Sequence, residues 1–127
     1  MVISFRSRKP LGEVRQKFED GSAARKFGVQ GMHNVTATLQ SKGLSFDRKL
    51  YIYEICNPGV AKKVLDTNIH IATALPCRVA VFQDGKEVVL ETLKPTAILQ
   101  MFREPTLEST ATEVEQVITE ILREAAG

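Results

Sequence analysis

The run CRVAVFQDGKEVVLETL, residues 77–93, decides the fold. Cys77 to Gln83 and Lys86 to Leu93 are rich in β-branched and aliphatic residues and flank Asp84-Gly85. That dipeptide supplies the positive φ of a tight connection, so the stretch predicts an antiparallel hairpin. Immediately upstream, Asn57-Pro58 predicts a helix start, with a side-chain acceptor at the cap and Pro at the first position. Val60, Ala61, Val64 and Leu65 follow on one stripe and end near Asn68. Ile69 to Leu75 admits either a short helical turn or an extended connection halted by Pro76.

Further out, Leu50 to Cys56 (LYIYEIC) predicts a strand that is apolar on both sides except at Glu54, so something must cover each face. Val35, Ala37 and Leu39 alternate with Thr36, Thr38 and Gln40, the pattern of a strand with one wet face, and Gly28 and Gly31 surround a turn before it. Ile3 and Phe5 alternate with Ser4 and Arg6 in a short first strand. Pro10 then opens a helix carrying Leu11, Val14 and Phe18, with Asp20-Gly21 as an interruption before Ala23, Ala24 and Phe27.

Downstream of the hairpin, Pro95 starts a short helix with Ile98, Leu99 and Phe102, and Pro105 stops it. Thr110 and Glu113 stand at capping-box spacing before Val114, Val117, Ile118, Ile121, Leu122 and Ala125. The expected architecture is α+β: an antiparallel sheet of about five strands with helices packed on one face.

The 127 residues, 43% of them apolar, suffice for one core and define a single domain over 1–127. Two cysteines are too few for a secreted disulfide framework. No apolar run reaches the roughly 18 residues of a membrane span, and the N-terminus has no leader pattern, so the expectation is cytoplasmic with no membrane partner. Charge is unevenly spread: residues 1–63 hold 12 basic and 5 acidic residues, a net +7, and residues 64–127 hold 5 and 10, a net −5. Two oppositely charged halves that fold against each other account for this, and a bipolar, self-associating surface is the alternative.

Residues 26–102 resemble the family called domain of unknown function 302. The marks are Phe27-Gly28-Val29, Cys56-Asn57-Pro58 after the third strand, and Leu75-Pro76-Cys77 opening the fourth. The resemblance implies a single copy of the fold found in each half of the TATA-binding protein, with an extra helix, assembled as a homodimer. Lys26 stands where many relatives carry Gly, and Asn34 where an acidic residue is common, which puts any carboxylate role at Asn34 in doubt. Fold likeness to a DNA-binding protein does not transfer DNA binding, and no basic-aromatic interleaving supports it, so nucleic acid is not an expected partner.

Two thiols are candidate reactive groups. Cys77 shares strand parity with Val79 and Val81, which favours core packing; Cys56 precedes a helix N-terminus, where the dipole favours a thiolate. Gathering His33, His70, Cys56 and Cys77 matches no paired zinc spacing, and no phosphate loop, dinucleotide motif or nucleophile elbow is present, so neither metal nor cofactor is expected. Glu113, Glu115, Glu120 and Glu124 read as the solvated face of the last helix.

Tyr51, Tyr53 and Ile55 share one parity, and Phe82 shares one with Ala80, so apolar surface remains after helices cover the other face. These four residues are the candidate ligand or dimer face, unless parity is reversed and the aromatics are core. The expected function is a small homodimeric module that binds a small molecule or protein; the alternative is a thiol-dependent enzyme or redox sensor using Cys56 or Cys77.

Overall fold

The computed structural model describes residues 1–127. Five strands, β1 (Val2–Ser7), β2 (Gly28–Asn34), β3 (Leu50–Cys56), β4 (Cys77–Asp84) and β5 (Glu87–Leu93), form one sheet in the order β1-β5-β4-β3-β2. Every neighbouring pair is antiparallel. Helices α1 (Leu11–Ala24), α2 (Val35–Ser41), α3 (Pro58–Thr67), α4 (Pro95–Gln100) and α5 (Glu108–Ala126) complete the α+β fold, with 3-10 turns at Ile69–Ala74 and Pro105–Leu107.

Helices cover one face of the sheet. Val14 and Phe18 of α1 and Val114, Ile118, Ile121, Leu122 and Ala125 of α5 close over Tyr53, Ile55, Val79, Val81, Val88 and Leu90 in one core. Burying each such aliphatic side chain contributes roughly 1.5–3 kcal/mol, so this single layer dominates stability. A satellite cluster of Val64, Ile71 and Leu107 lies beside it.

The hairpin forms as the sequence requires, one residue later than the Asp-Gly dipeptide implies. Asp84 pairs with Glu87, leaving Gly85-Lys86 as the loop, and only Gly85 has positive φ (61°). Gly at the first loop position belongs to a type II′ turn.

Three local expectations are corrected. Asp20-Gly21 does not interrupt α1: Gly21 sits where that helix meets α5, and a Cβ there would lie 3.9 Å from Ile121 Cγ2. The second strand is Gly28–Asn34, and residues 35–41 are helical. Asn34 accepts a hydrogen bond from the Ala37 N–H at 3.0 Å and so caps α2, while the Thr36 hydroxyl donates to the Arg48 carbonyl and accepts from the Leu50 N–H. The glycines fit an edge strand because β2 is bulged between Val29 and Gly31, and a Cβ at Gly31 would stand 3.1 Å from Glu54 Oε1. Finally, α5 starts at Glu108, directly after the Pro105 turn, so Thr110 lies inside its first turn and caps nothing.

Candidate functional site

Strand register decides which side chains share a face, and it separates the residues expected to lie together. Tyr51, Tyr53 and Ile55 pair with Val81, Val79 and Cys77 on the helix-covered side, whereas Phe82 and Ala80 pair with Leu50 and Ile52 on the other. Tyr53 is 1% exposed and Ile55 0%. The placement of Tyr51, Tyr53 and Ile55 on the helix-free face is therefore corrected. Period-2 alternation yields two sets of residues in a strand apolar on both sides, and only the helices choose between them.

Those tyrosines are held from above by α1. The Phe18 and Tyr53 rings lie 4.9 Å apart, and the Arg15 guanidinium lies 3.6 Å from the centre of the Tyr51 ring. Arg15 Nε donates to the Tyr53 hydroxyl at 3.0 Å, and that hydroxyl donates to Glu19 Oε2 at 2.5 Å. Burial, reinforced by the Glu19 hydrogen bond, pushes the Tyr53 phenol up to about 12, so it remains a protonated donor.

The helix-free face has an apolar centre and a charged rim. One row runs Arg6, Val89, Phe82, Leu50 across four strands; the next runs Ser4, Glu91, Ala80, Ile52, His33 across five. Val89 is fully shielded even here, at 0% exposed, between Arg6 and Phe82. Arg6 reaches Asp84 Oδ2 at 3.0 Å and Glu87 Oε1 at 3.3 Å, Arg48 approaches Asp84 at 3.7 Å, and His33 Nε2 meets Glu54 Oε1 at 2.7 Å.

Both thiols are free and half-buried. Burial raises the Cys56 thiol, the opposite of the direction expected beside a helix N-terminus. The Asn57 side chain accepts from the Val60 N–H at 3.1 Å and so takes up one of the donors a thiolate would use. Cys77 points inward opposite Ile55, and burial, with a smaller contribution from the Cys56 thiol, pushes it up to about 11.

Cys77 also lines two adjoining cavities at the end of the sheet where β4 begins. The inner one, about 50 Å³, is walled by Val60, Val64, Ile71, Leu99, Val114 and Thr110. The outer one, about 270 Å³, adds Arg78, Thr92, Leu93 and Met101. Leu75, Cys77, Pro95 and Ile98 belong to both. Thr110 is 4% exposed and its hydroxyl has no hydrogen-bond partner.

With this geometry in hand, a comparison with protein families is decisive: the profile described as domain of unknown function DUF302 matches residues 3–125. The chain belongs to this family. Among solved structures, the crystal structure of an uncharacterized conserved DUF302 protein from Bacillus stearothermophilus is similar at TM-score 0.93 and 29% identity. The likeness covers 98% of this chain and 97% of that one. No curated protein matches.

In this DUF302 chain several site residues escaped sequence reading. Arg15 and Glu19 lie one residue beyond Val14 and Phe18 in α1, and that offset, facing a strand rich in Tyr, was the available signal. Glu115, read as a solvated acid, accepts from the Thr96 hydroxyl at 2.7 Å and from its N–H at 3.3 Å at the start of α4. Glu120 and Glu124 bind Arg25. His33 and His70 lie apart, and no three His, Cys, Asp or Glu side chains converge as a metal set would.

Proposed function

We propose that this chain is a non-catalytic binding module that works as a pair, a second copy packing on the helix-free sheet face. The observation that carries the reading is the uncovered apolar centre, Leu50, Ile52, Ala80 and Phe82, ringed by charge in the manner of an interface core and rim. Strand spacing and rise give a face of the order of 500 Å². Side-chain relief brings that near the ~800 Å² each partner contributes to a standard interface. Glu91 makes no ion pair within the chain, and Arg48 holds Asp84 only at 3.7 Å. A two-fold axis presents the same patch from both copies, which leaves Arg48 and Glu91 available as opposite charges across the seam.

The architecture is read as one half of the TATA-binding-protein fold with an extra helix, a likeness that carries no nucleic-acid function with it. A cytoplasmic address for a small-molecule or protein binder fits two protonated, unpaired thiols. No helix is long and apolar enough to cross a membrane. Thiol catalysis at Cys56 or Cys77 is the weaker reading, because burial shifts both away from the thiolate.

Light scattering coupled to gel filtration tests the pair: the expected mass is twice that of one chain. Phe82→Glu, at a partly exposed position, is expected to give a folded single copy by circular dichroism. A wild-type protein that runs as one chain at tens of micromolar overturns the proposal.

A further inference from the structure

We propose that the outer edge of β1 is a docking strip for an extended, acidic segment of another protein, which joins the sheet as an added strand. Strand register gives the geometry. Lys94 donates its N–H to the Met1 carbonyl at 2.8 Å and continues the β1–β5 ladder, in which Val2 pairs with Leu93. Antiparallel pairs alternate between bonded and unbonded, so Ile3, Phe5 and Ser7 exchange backbone hydrogen bonds with β5. The Gln83 N–H donating to the Lys49 carbonyl at 3.0 Å sets the same alternation from the far side, through β4 and β5. Val2, Ser4 and Arg6 therefore turn their N–H and carbonyl groups outward, at an edge beyond which no strand lies. All three residues are exposed.

Such a row is a template for another chain, and native edges are normally blunted by bulges, prolines or charges. The opposite edge is blunted: β2 is bulged between Val29 and Gly31. β1 lacks these devices. Its pairing runs without a register shift from Val2 to Ser7, it contains no proline, and its one charge, Arg6, is drawn aside by Asp84 and Glu87. On the helix side Ile3 and Phe5 are only partly buried, so side chains of an added strand extend the core there.

Charge chooses the partner. Residues 1–9 contain Arg6, Arg8 and Lys9 and no acid. The Arg123 guanidinium of α5 lies 5.6 Å from the centre of the Phe5 ring. Arg8, Lys9 and Arg123 join no ion pair, whereas Glu120 and Glu124 of α5 are engaged by Arg25. Glu91, paired with Ser4, projects on the helix-free side. The strip thus presents unneutralised cations on the helix side and at its Arg8 end, which favours a strand carrying Asp or Glu there. A second copy offers the same cations and no acid, so self-pairing along β1 is the poorer match. The strip lies at the rim of the sheet, apart from the face proposed for pairing, and does not rest on that pairing.

Amide exchange of the whole chain, read by nuclear magnetic resonance with the capped peptide Asp-Glu-Val-Thr-Val-Glu-Asp, tests the proposal. In the chain alone, Ser4 and Arg6 are expected to exchange faster than Ile3 and Phe5. At a peptide concentration about ten times Kd, exchange at Ser4 and Arg6 is expected to slow about tenfold. The counterpart Lys-Lys-Val-Thr-Val-Lys-Lys is expected to leave it unchanged, as is the acidic peptide N-methylated throughout, which keeps its charge and loses its donors. Ser4→Pro removes an outward N–H and no bond to β5, so it is expected to keep the far-ultraviolet spectrum and to weaken peptide binding at least about tenfold by calorimetry. Arg123→Gln is expected to weaken the acidic peptide about threefold, the scale of one exposed ion pair. No slowing at Ser4 and Arg6 with the acidic peptide, or equal slowing with its lysine counterpart, overturns the proposal. Slowing that appears without peptide as protein concentration rises gives the edge to a second copy and overturns it too. A chain that is single by light scattering and still binds the peptide overturns the face pairing alone.

Discussion

Lys26 holds a φ of 63° directly after α1, in the left-handed region that a side chain disfavours. Its N–H bonds the Ala23 carbonyl and the Phe27 N–H bonds the Ser22 carbonyl, the two bonds of a Schellman ending, with Phe27 then packed in the core. Lys26→Gly is therefore expected to stabilise the fold by about 1 kcal/mol in urea unfolding; no gain there removes the strain argument. Tyr53 gives a pH signature. Its folded value of about 12 lies above its ordinary 10.0, so its contribution is complete below pH 10 and is lost as pH climbs through 12. Phenolate absorbance should show a component near pH 12 that Tyr53→Phe deletes. If ionisation in the folded protein finishes near pH 10, the buried hydrogen-bonded phenol is the wrong picture.

At the scale of elements, the hairpin and the Asn57-Pro58 helix start were legible because each combines a periodic apolar pattern with a matching terminus signal, and the α5 stripe was legible from its period alone, the capping spacing at Thr110 falling inside the helix. Residues 28–41 were not. Two glycines mimicked a turn and an accidental alternation mimicked a strand, while the deciding feature, the Asn34 cap, looks in sequence like any loop asparagine. Asn34→Ala is expected to cost about 1 kcal/mol and Asn34→Asp almost nothing, since a carboxylate caps equally well. Equal loss in both variants would show that the amide does something else. The site was legible only in part: Cys77 was singled out with the correct inward direction, but the open face of β3 was assigned the wrong way up. No local pattern carries the information, because it resides in pairing with β4 and in the helices overhead.

For the whole molecule, the opposite charges of the two halves meet as expected. Arg6 and Arg48 of the basic half reach Asp84 and Glu87, and Arg25 reaches Glu120 and Glu124. These pairs are at the surface, so high salt should alter stability only slightly. The strand order has a larger effect. Strands β2 to β5 neighbour one another in succession, but β1 leaves the N-terminus and lands on β5, more than eighty residues away. An outermost ribbon anchored along one side by so distant a neighbour is cheaper to peel from the finished protein than the central β4. Amide hydrogens of Ile3 to Arg6 should accordingly exchange with heavy water sooner than those of β4. The opening strip of the chain thus behaves as a latch, closed last and loosened first.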